Sequence, residues 1–506
     1  MARAVEYVET ESTLGVDDAT PMPALAGGPV VSVGEPVTRR LEAIYYDTAG
    51  LALARARTTL RLRRGGDDDG WHLKLPVGPD QRLEVRLPVG RSTRTPPAEL
   101  RRRVVVHVRG RRLAPVVRLT NRRVEHPLLG SDGTVLAVVC DDHVEAERLG
   151  ETPTTSAWRE WEVELVDGTA EDLSGVTRRL LEAGARPSLH PSKLARALGD
   201  DLPAWLVLPE ASPDMSTADL VLDRVGTHVA ELLAADPQVR ADEDDSVHQM
   251  RVATRRLRSL LASFRPLLEG ETGENLRDEL KWLAGVLGEA RDAEVLRARL
   301  AGLVAAEPPE LLLGPVARRI DAELSVAYRE AHDRVLVALD DARYFALLDS
   351  LEAWLRQPPV TDEAGRPARE VVPGLLHRDW RRVRRTADAA QAAPDGAETV
   401  LHETRKAAKR LRYGAEGAVA VFGERADRLA RTAKHVQTVL GEHNDAVVAR
   451  DVLRRLGVQA HLAGENGFSF GRLHALEQQR ADASARRFHK RWARVTAPKV
   501  RRWADG

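Results

Sequence analysis

Acidic residues pair at two-residue spacing near both ends of the N-terminal half: Glu9 and Glu11 in VETEST, then Glu160, Glu162 and Glu164 in WREWEVEL. Basic residues dominate the stretches between. TLRLRR carries Arg61 and Arg63, HLKL carries Lys74, RLEVRL carries Glu84 and Arg86, and VVRLTNRR carries Arg118 and Arg122. A two-residue repeat places each set on one side of an extended strand. Carboxylates so spaced suit a hard divalent cation with oxygen ligands. Rows of Arg and Lys suit phosphate oxygens. For any single strand, the solvated face of an antiparallel sheet is a sufficient alternative. A solvated face tends to intersperse its signs, whereas here acids hold the outer strands and bases the middle ones. The pattern reads as a site for a metal-bound polyanion inside a barrel.

A second constellation lies in the other half. HQMRVATRRLR begins at His248 and HETRKAAKRLR begins at His402. On a helix, His248, Arg251, Arg255 and Arg258 form one stripe, as do His402, Arg405, Lys409 and Arg412. Arg256 and Arg410 widen the stripes, and Met250, Ala253, Leu257 and Leu260 form an apolar stripe beside the first. The repetition continues downstream, with Lys281, Gly288, Glu289 and Asp292 recurring as Lys434, Gly441, Glu442 and Asp445. A helical bundle has therefore been duplicated, over about 217–310 and 370–460. A basic helix face is usually solvated. Two matched stripes, each opened by histidine at the same phase, favour a shared ligand. Like charges at helical spacing repel by roughly a few tenths of a kcal/mol per pair, and a polyanion lying along them would relieve that. Nucleic acid is the rival ligand, but aromatics are only 4% of the chain and are not interleaved with the basic residues, so stacking on bases is poorly supplied.

The elements that must position these residues differ between the halves. Up to about residue 200 the chain alternates with period two: VEYVETES, RLEAIYYDT, TLRLRR, GWHLKLPV, RLEVRLPV, APVVRLTNRRVE, TVLAVVCDD and WREWEVELV. These eight segments predict a closed antiparallel barrel or sandwich, closure being favoured because it removes exposed edges. A helix is expected from about Ala170 to Ala183. A Pro- and Asp-rich linker is expected at 201–214, and from Thr217 the periodicity is helical, with breaks expected at DPQVRADEDD, EPPE, QPPV and APDG. The acids of ADEDD are expected to cap the first basic helix. Lys+Arg and Asp+Glu both number 76, so anion binding must come from local clusters rather than from the whole-chain field. The single cysteine, Cys140, excludes an internal disulfide and any multi-cysteine metal site. With no signal-peptide pattern in MARAVEYVETES and no apolar run of membrane-spanning length, the expectation is a cytoplasmic protein.

The motifs VETES, YYDT, TLRLR, WHLKLP, CDDHV, EWEVEL and HPSKLARAL together resemble the CYTH domain of the triphosphate tunnel metalloenzymes, over residues 3–200. The resemblance implies an eight-stranded antiparallel tunnel that hydrolyses the terminal phosphate of tripolyphosphate-like substrates with Mg²⁺ or Mn²⁺. Position by position it implies Glu9, Glu11, Asp142, Glu160 and Glu162 as metal ligands, Asp142 fitting the family's pattern better than Asp141. It implies Arg61, Arg63, Lys74, Glu84, Arg86, Arg118, Arg122 and Lys193 as the triphosphate-binding set, with Arg61, Arg63 and Lys74 closest to the chemistry. The family opens E-x-E-x-K, and here Thr13 replaces the lysine. Two outcomes follow: a triphosphatase of slowed or altered specificity, or a binding module without turnover. VHQMRVATRRLRS, LGEARDAEVL, LHETRKAAKRLRY and LGEHNDAVV resemble the CHAD domain, over about residues 215–500. That resemblance implies an all-α duplicated bundle that binds inorganic polyphosphate and targets polyphosphate granules. Its implied ligands are His248, Arg251, Arg255, Arg256, Arg258, His402, Arg405, Lys409, Arg410 and Arg412, with Lys281 and Lys434 extending the set. The expected whole is an α+β multidomain chain, barrel first and helices second.

Overall fold

A computed structural model describes residues 4–78, 81–90, 93–150, 152–202, 207–392 and 397–495. The chain divides into two compact units, Met1–Trp205 and Leu206–Gly506. The expected linker straddles that division, and its residues 203–206 lie outside the described residues.

In the first unit all eight expected strands form. They are β1 (Val5–Val16), β3 (Val37–Asp47), β4 (Thr59–Arg64), β5 (Gly70–Pro76), β6 (Gln81–Pro88), β7 (Ala114–Leu129), β8 (Val135–Arg148) and β9 (Thr154–Leu165). They pair antiparallel in the order β1-β6-β5-β4-β3-β7-β8-β9. The long β1 closes the barrel: Val5–Thr10 pairs with β6, and Glu11–Val16 pairs with β9. Two short strands, β2 (Ser32–Val33) and β10 (Arg186–Pro187), add to β7 and β1.

Strand alternation divides the faces. Leu60, Trp71, Leu73 and Val85 turn outward and are fully buried beneath α1 (Ala52–Arg55), α2 (Ala98–Arg103) and α3 (Val105–Val108). Trp161, Val163 and Val139 pack beneath α4 (Ala170–Glu182), whose Thr169–Asp172 capping box starts the expected helix. One end of the interior is also apolar. There Ala43, Tyr45, Val117, Leu119, Val144 and Ala146 meet Leu194 and Leu198 of α5 (Lys193–Leu198), so α5 plugs that end.

The second unit is helical: α6 (Thr217–Arg240), α7 (Ser246–Ser263), α8 (Thr272–Ala305), α9 (Val316–Asp340), α10 (Ala342–Arg356), α11 (Ala368–Ala392), α12 (Ala397–Gly417), α13 (Val419–Phe422), α14 (Glu424–Leu462) and α15 (Phe468–Val495). The duplicated basic segments are α7 and α12, which pack against each other. The segments following them in the repeat are α8 and α14. Their distal halves share one core with α9 and α15, including Leu300, Ile320, Leu453 and Phe470. The two copies thus bury apolar stripes that neither could bury alone.

The break expected at DPQVRADEDD falls in its second half: α6 carries Pro237 and runs on to Arg240, and α7 starts at Ser246. The chain turns at Asp242 and Asp245, which take the left-handed conformation (φ 53° and 60°) that Asp tolerates better than most residues. The expected acidic cap is corrected. Asp245 occupies the cap position of α7, but its carboxylate accepts from the Gln249 side chain (2.6 Å) and not from a helix N–H. The expected break at APDG lies outside the described residues.

Leu453→Ala is expected to destabilise the helical unit by about 2–5 kcal/mol, the usual cost of truncating a fully buried leucine. Urea unfolding checks this.

Candidate functional site

The barrel encloses a cavity of about 290 Å³ lined by charge of both signs. From β1 come Glu9, Glu11 and Thr13; from β4, Arg61 and Arg63; from β5, Lys74; from β6, Arg82, Glu84 and Arg86; from β9, Glu162 and Glu164. Lys193 enters from the first turn of α5, where Ser192 caps the helix by accepting from the Ala195 N–H.

Each acid group is held by a buried cation. Lys74 Nζ pairs with Glu9 and lies 3.5 Å from Glu11. Lys193 Nζ lies 2.9 Å from Asp142, 2.8 Å from Glu160 and 2.5 Å from Glu162. Arg123 donates two bonds to Asp142 at 2.8 Å and one to Glu164 at 2.8 Å, and also pairs with Glu162. Asp141 points the other way and is gripped by Arg159 at 2.8 and 2.9 Å. Two carboxylate groups, Glu9/Glu11/Glu164 and Asp142/Glu160/Glu162, each bring one oxygen per residue within 4.8 Å of the others. Such all-oxygen sets fit Mg²⁺ or Mn²⁺ in donor chemistry. A metal entering either set competes with the lysine already there.

Environment separates the acids. Burial alone would raise Glu11, but Lys74, Arg82 and Lys193 hold it down at about 2. Burial pushes Glu162 up to about 7 against the pull of Lys193 and Arg123. Burial also opposes the charge on Lys74, yet Glu11 and Glu9 keep its pKa above the usual lysine range. Glu84, directly across from Lys74 on the neighbouring strand, is a hub: it accepts from His72 Nδ1 (2.7 Å), Arg86 (2.8 Å) and Tyr7. Glu84 therefore holds the cationic wall in place. Arg63 pairs with Asp68 at 2.8 Å, and Arg61 donates to Tyr45 Oη at 3.2 Å.

Two expected ligands are corrected. Arg118 and Arg122 face outward: Arg118 pairs with Glu147 at 2.8 Å on the exterior, and Arg122 is exposed. The inward face of β7 carries Leu119, Asn121 and Arg123 instead. The phase is reversed because Leu119 packs inside, at the apolar end near α5, while the outer face of this strand is solvated. Arg82 and Arg123 are additional tunnel cations. Arg82 shares the period-two face of Glu84 and Arg86, so its place was readable from spacing; Arg123 required the phase of β7.

In the helical unit, the α7–α12 pair brings Arg251, Arg255, Arg405 and Lys409 into one electrostatic group. Arg251 crosses Gly288 of α8 and Arg405 crosses Gly441 of α14, each guanidinium 3.6 Å from where a Cβ would stand. Asp292 lies 3.5 Å from Arg251, and its counterpart Asp445 acts on Arg405. The repeated Gly and Asp therefore seat the two arginines. The Nε of each is buried without a hydrogen-bond partner. His402 Nδ1 lies 3.2 Å from Asn444 Oδ1; His248 is half-buried, its pKa lowered by burial and by Arg291. Lys281, Lys434 and Arg258 are exposed.

Three expected ligands are instead tied to acids. Arg410 is clamped by Asp379 (2.8 Å) and donates to the Ala262 carbonyl (2.5 Å); Arg412 pairs with Glu416 (2.7 Å), and Arg256 lies 3.5 Å from Glu231. Asp379 is 2% exposed and also accepts from Ser263 Oγ, which makes Arg410 a structural clamp.

A closed barrel with a charged interior, joined to a duplicated helical bundle with a cationic seam, defines the class of protein. The CYTH domain model matches residues 21–197 and the CHAD domain model matches residues 223–454. The CYTH match begins after β1, so Glu9 and Glu11 are placed by the structure alone. An uncharacterized protein of Mycobacterium tuberculosis is 41% identical over 503 residues, covering 96% of this chain and 95% of its own length. The chain belongs to the CYTH–CHAD family. Among solved structures it is similar to PptA from Streptomyces chartreusis (22% identity, 55% of this chain, 100% of that chain, TM-score 0.46). It is also similar to the CHAD domain from the plant Ricinus communis (21% identity, 60% of this chain, 96% of that chain, TM-score 0.41). A Hippeastrum protein with a dominant triphosphatase activity matches at 18% identity over 37% of this chain and 94% of its own, TM-score 0.23.

Arg410→Ala leaves Asp379 buried beside Ser263 alone and is expected to cost about 3–5 kcal/mol of stability. Arg256→Ala, whose partner is largely solvated, is expected to cost under about 1 kcal/mol. Chemical denaturation of the two variants distinguishes clamp from surface pair.

Proposed function

We propose that the barrel is a metal-dependent phosphoanhydride hydrolase acting on tripolyphosphate or polyphosphate ends, and that the helical unit binds inorganic polyphosphate. The observation that carries the reading is the union, in one closed cavity, of a cationic wall and carboxylate sets of metal-binding spacing.

Glu9, Glu11 and Glu164, or Asp142, Glu160 and Glu162, would hold Mg²⁺ or Mn²⁺, which supplies charge neutralisation at the phosphate oxygens. The chain's own residues do the rest. Arg61 and Arg63 present fixed positive charge to the equatorial oxygens of the transferring group. Lys74, kept charged by its acids, adds a third cation. Water attacks in line, its oxygen bonds to the terminal phosphorus, the P–O bond to the neighbouring phosphate breaks with the electron pair leaving on that phosphate's oxygen, and the water's proton passes to a product phosphate oxygen or to solvent. Exclusion of bulk water by α5 at one end strengthens every one of these charges.

Thr13 lines the cavity where the family pattern has lysine. Arg82 supports retention of a cation there: its Nε lies 3.5 Å from Glu11, on the strand beside β1. The second reading, binding without turnover, rests on the same Thr13. For the helical unit, the four-cation group on α7 and α12 supports a polyphosphate over nucleic acid, because Tyr413, the aromatic acting on Arg255 and Arg405, is buried and exposes little ring for stacking. The reading places the protein in the cytoplasm with polyphosphate granules. No described helix is long and apolar enough to cross a membrane.

The test is phosphate release from tripolyphosphate with Mg²⁺ or Mn²⁺ and with chelator. Metal-dependent release is expected, lowered at least about 100-fold in kcat/KM by Lys74→Ala or Arg61→Ala and changed less than about twofold by Arg118→Ala, on the outer face. Arg82→Ala is expected to weaken turnover and Thr13→Lys to restore it in the same chain. Binding of tripolyphosphate without metal-dependent release selects the second reading. Equal displacement of long-chain polyphosphate by RNA, at equal phosphate concentration, contradicts the assignment of the helical unit.

A further inference from the structure

The inference rests on the hydrolase reading of the barrel and concerns the chain length its tunnel accepts. The β4–β5 turn reads Gly65-Gly66-Asp67-Asp68-Asp69, and two of its acids, Asp67 and Asp68, line the charged cavity. Strand register places this turn at the end of the tunnel away from α5. Tyr45 of β3 packs at the α5 end, and Arg39 lies roughly 20 Å back along that strand at the usual rise per residue. β4 runs beside β3 with Arg61 opposite Tyr45 and Arg64 opposite Glu42, so the turn emerges on the Arg39 side. The Asp67 side chain there is 83% exposed. The turn therefore rims the open mouth.

Its shape is fixed. Gly65 takes φ 90°, and a Cβ on it would stand 2.0 Å from the Arg40 carbonyl oxygen. A Cβ on Gly70, where β5 begins, would stand 2.4 Å from the Leu87 carbonyl oxygen. Asp69 accepts from the Gly66 N–H at 3.1 Å, and the Asp68 carbonyl oxygen lies 2.8 Å from His72 Nε2. The other two carboxylates grip tunnel cations. Asp68 lies 2.8 Å from Arg63 and 3.3 Å from Arg86. Asp67 accepts from both terminal nitrogens of Arg39, at 3.0 and 2.6 Å, while Glu125 of β7 accepts from Arg39 Nε at 3.0 Å. Burial opposes ionisation of Asp68, but the Arg63 guanidinium holds its carboxyl below the usual range. Arg39, Arg63 and Arg86 thus face Asp67, Asp68 and Glu125 in balance at the mouth. A carboxylate seated on a guanidinium takes the place a phosphate would use.

We propose that Asp67 and Asp68 are specificity-determining residues of the tunnel, an acidic collar that admits tripolyphosphate and disfavours the end of a long polymer. With α5 closing the far side, a phosphate chain enters end first through the mouth. A short chain lies inside and leaves the collar intact. A long chain has to trail out past it. It must displace both carboxylates from their arginines and run its own negative charge beside theirs. Discrimination of this kind comes from a repulsive element built against the wrong ligand.

The experiment measures metal-dependent phosphate release by the full chain, per chain end, from tripolyphosphate and from long-chain polyphosphate. The helical unit is the same in every variant, so its hold on the polymer cancels in the comparison. The wild type is expected to favour tripolyphosphate in kcat/KM. In the double variant Asp67→Asn/Asp68→Asn, which keeps side-chain size and removes both charges, kcat/KM on the long chain is expected to rise at least about tenfold relative to tripolyphosphate, mainly through KM. Asp69 makes no ion pair among the described residues, and the amide oxygen of Asp69→Asn can still accept from Gly66. That variant is expected to shift the ratio less than about twofold. A wild type that turns over both substrates equally, or a folded double variant with the wild-type ratio, overturns the collar and leaves the hydrolase reading intact. An equal shift in Asp69→Asn also overturns it, because the general acidity of the turn would then set the ratio. No metal-dependent release from either substrate, in wild type and double variant alike, refutes the hydrolase reading and the collar's role in turnover with it. Circular dichroism of the variants excludes misfolding as the cause of any loss.

Discussion

Charge held away from water is the constraint on which both units depend. An unpaired buried ion costs several kcal/mol, and removing one partner of a buried pair costs about 3–5 kcal/mol. The barrel meets the constraint by alternation and pairing. Its apolar residues turn outward beneath α1–α4, or inward only at the α5 end, and the charges inside grip one another: Lys193 on three carboxylates, Arg123 on three, Glu84 on three donors. The helical unit meets it only in part. Arg410 and Arg412 have acids of their own, but Arg255 and Lys409 are left facing other cations.

That difference suits two kinds of ligand handling. In the tunnel, cations and carboxylates are already fixed in a low-dielectric cavity, so on the proposed function a phosphate chain arriving with its metal would exchange existing pairs for new ones with little reorganisation. On the α7–α12 seam internal counter-charge is sparse: Asp292 lies 3.5 Å from Arg251, and Asp445 acts on Arg405. A polyanion bound there, as proposed, would supply the missing negative charge and relieve the repulsion between its cations. On the proposed function, the completeness of charge balance would suit the tunnel to a chain end and the seam to a polymer.

Much of this was legible in the residues. Period-two spacing located every barrel strand and the inward set Glu9, Glu11, Arg61, Arg63, Lys74, Glu84, Arg86 and Glu162. The repeat located α7 and α12 and matched Gly288 to Gly441 before their role as seats for arginine was visible. The misreading of β7 has a physical source. Outward-charged, inward-apolar alternation looks the same in sequence as its inverse, and only the position of α5 tells which side Leu119 occupies. Likewise Arg410 lies beside the basic stripe, and nothing local to it reveals that Asp379, on the preceding helix, turns it into a clamp. Pairing between distant segments was the missing information in both cases.

The central claim is a division of labour: chain-end chemistry in the tunnel and polymer retention on the helix pair. The most direct test replaces Arg251, Arg255, Arg405 and Lys409 together by Ala. Long-chain polyphosphate retention and metal-dependent phosphate release from tripolyphosphate are then measured on the same preparation. The account predicts that retention is abolished while release from tripolyphosphate is unchanged. Loss of both activities in a folded protein, or retention that survives the four substitutions, contradicts it.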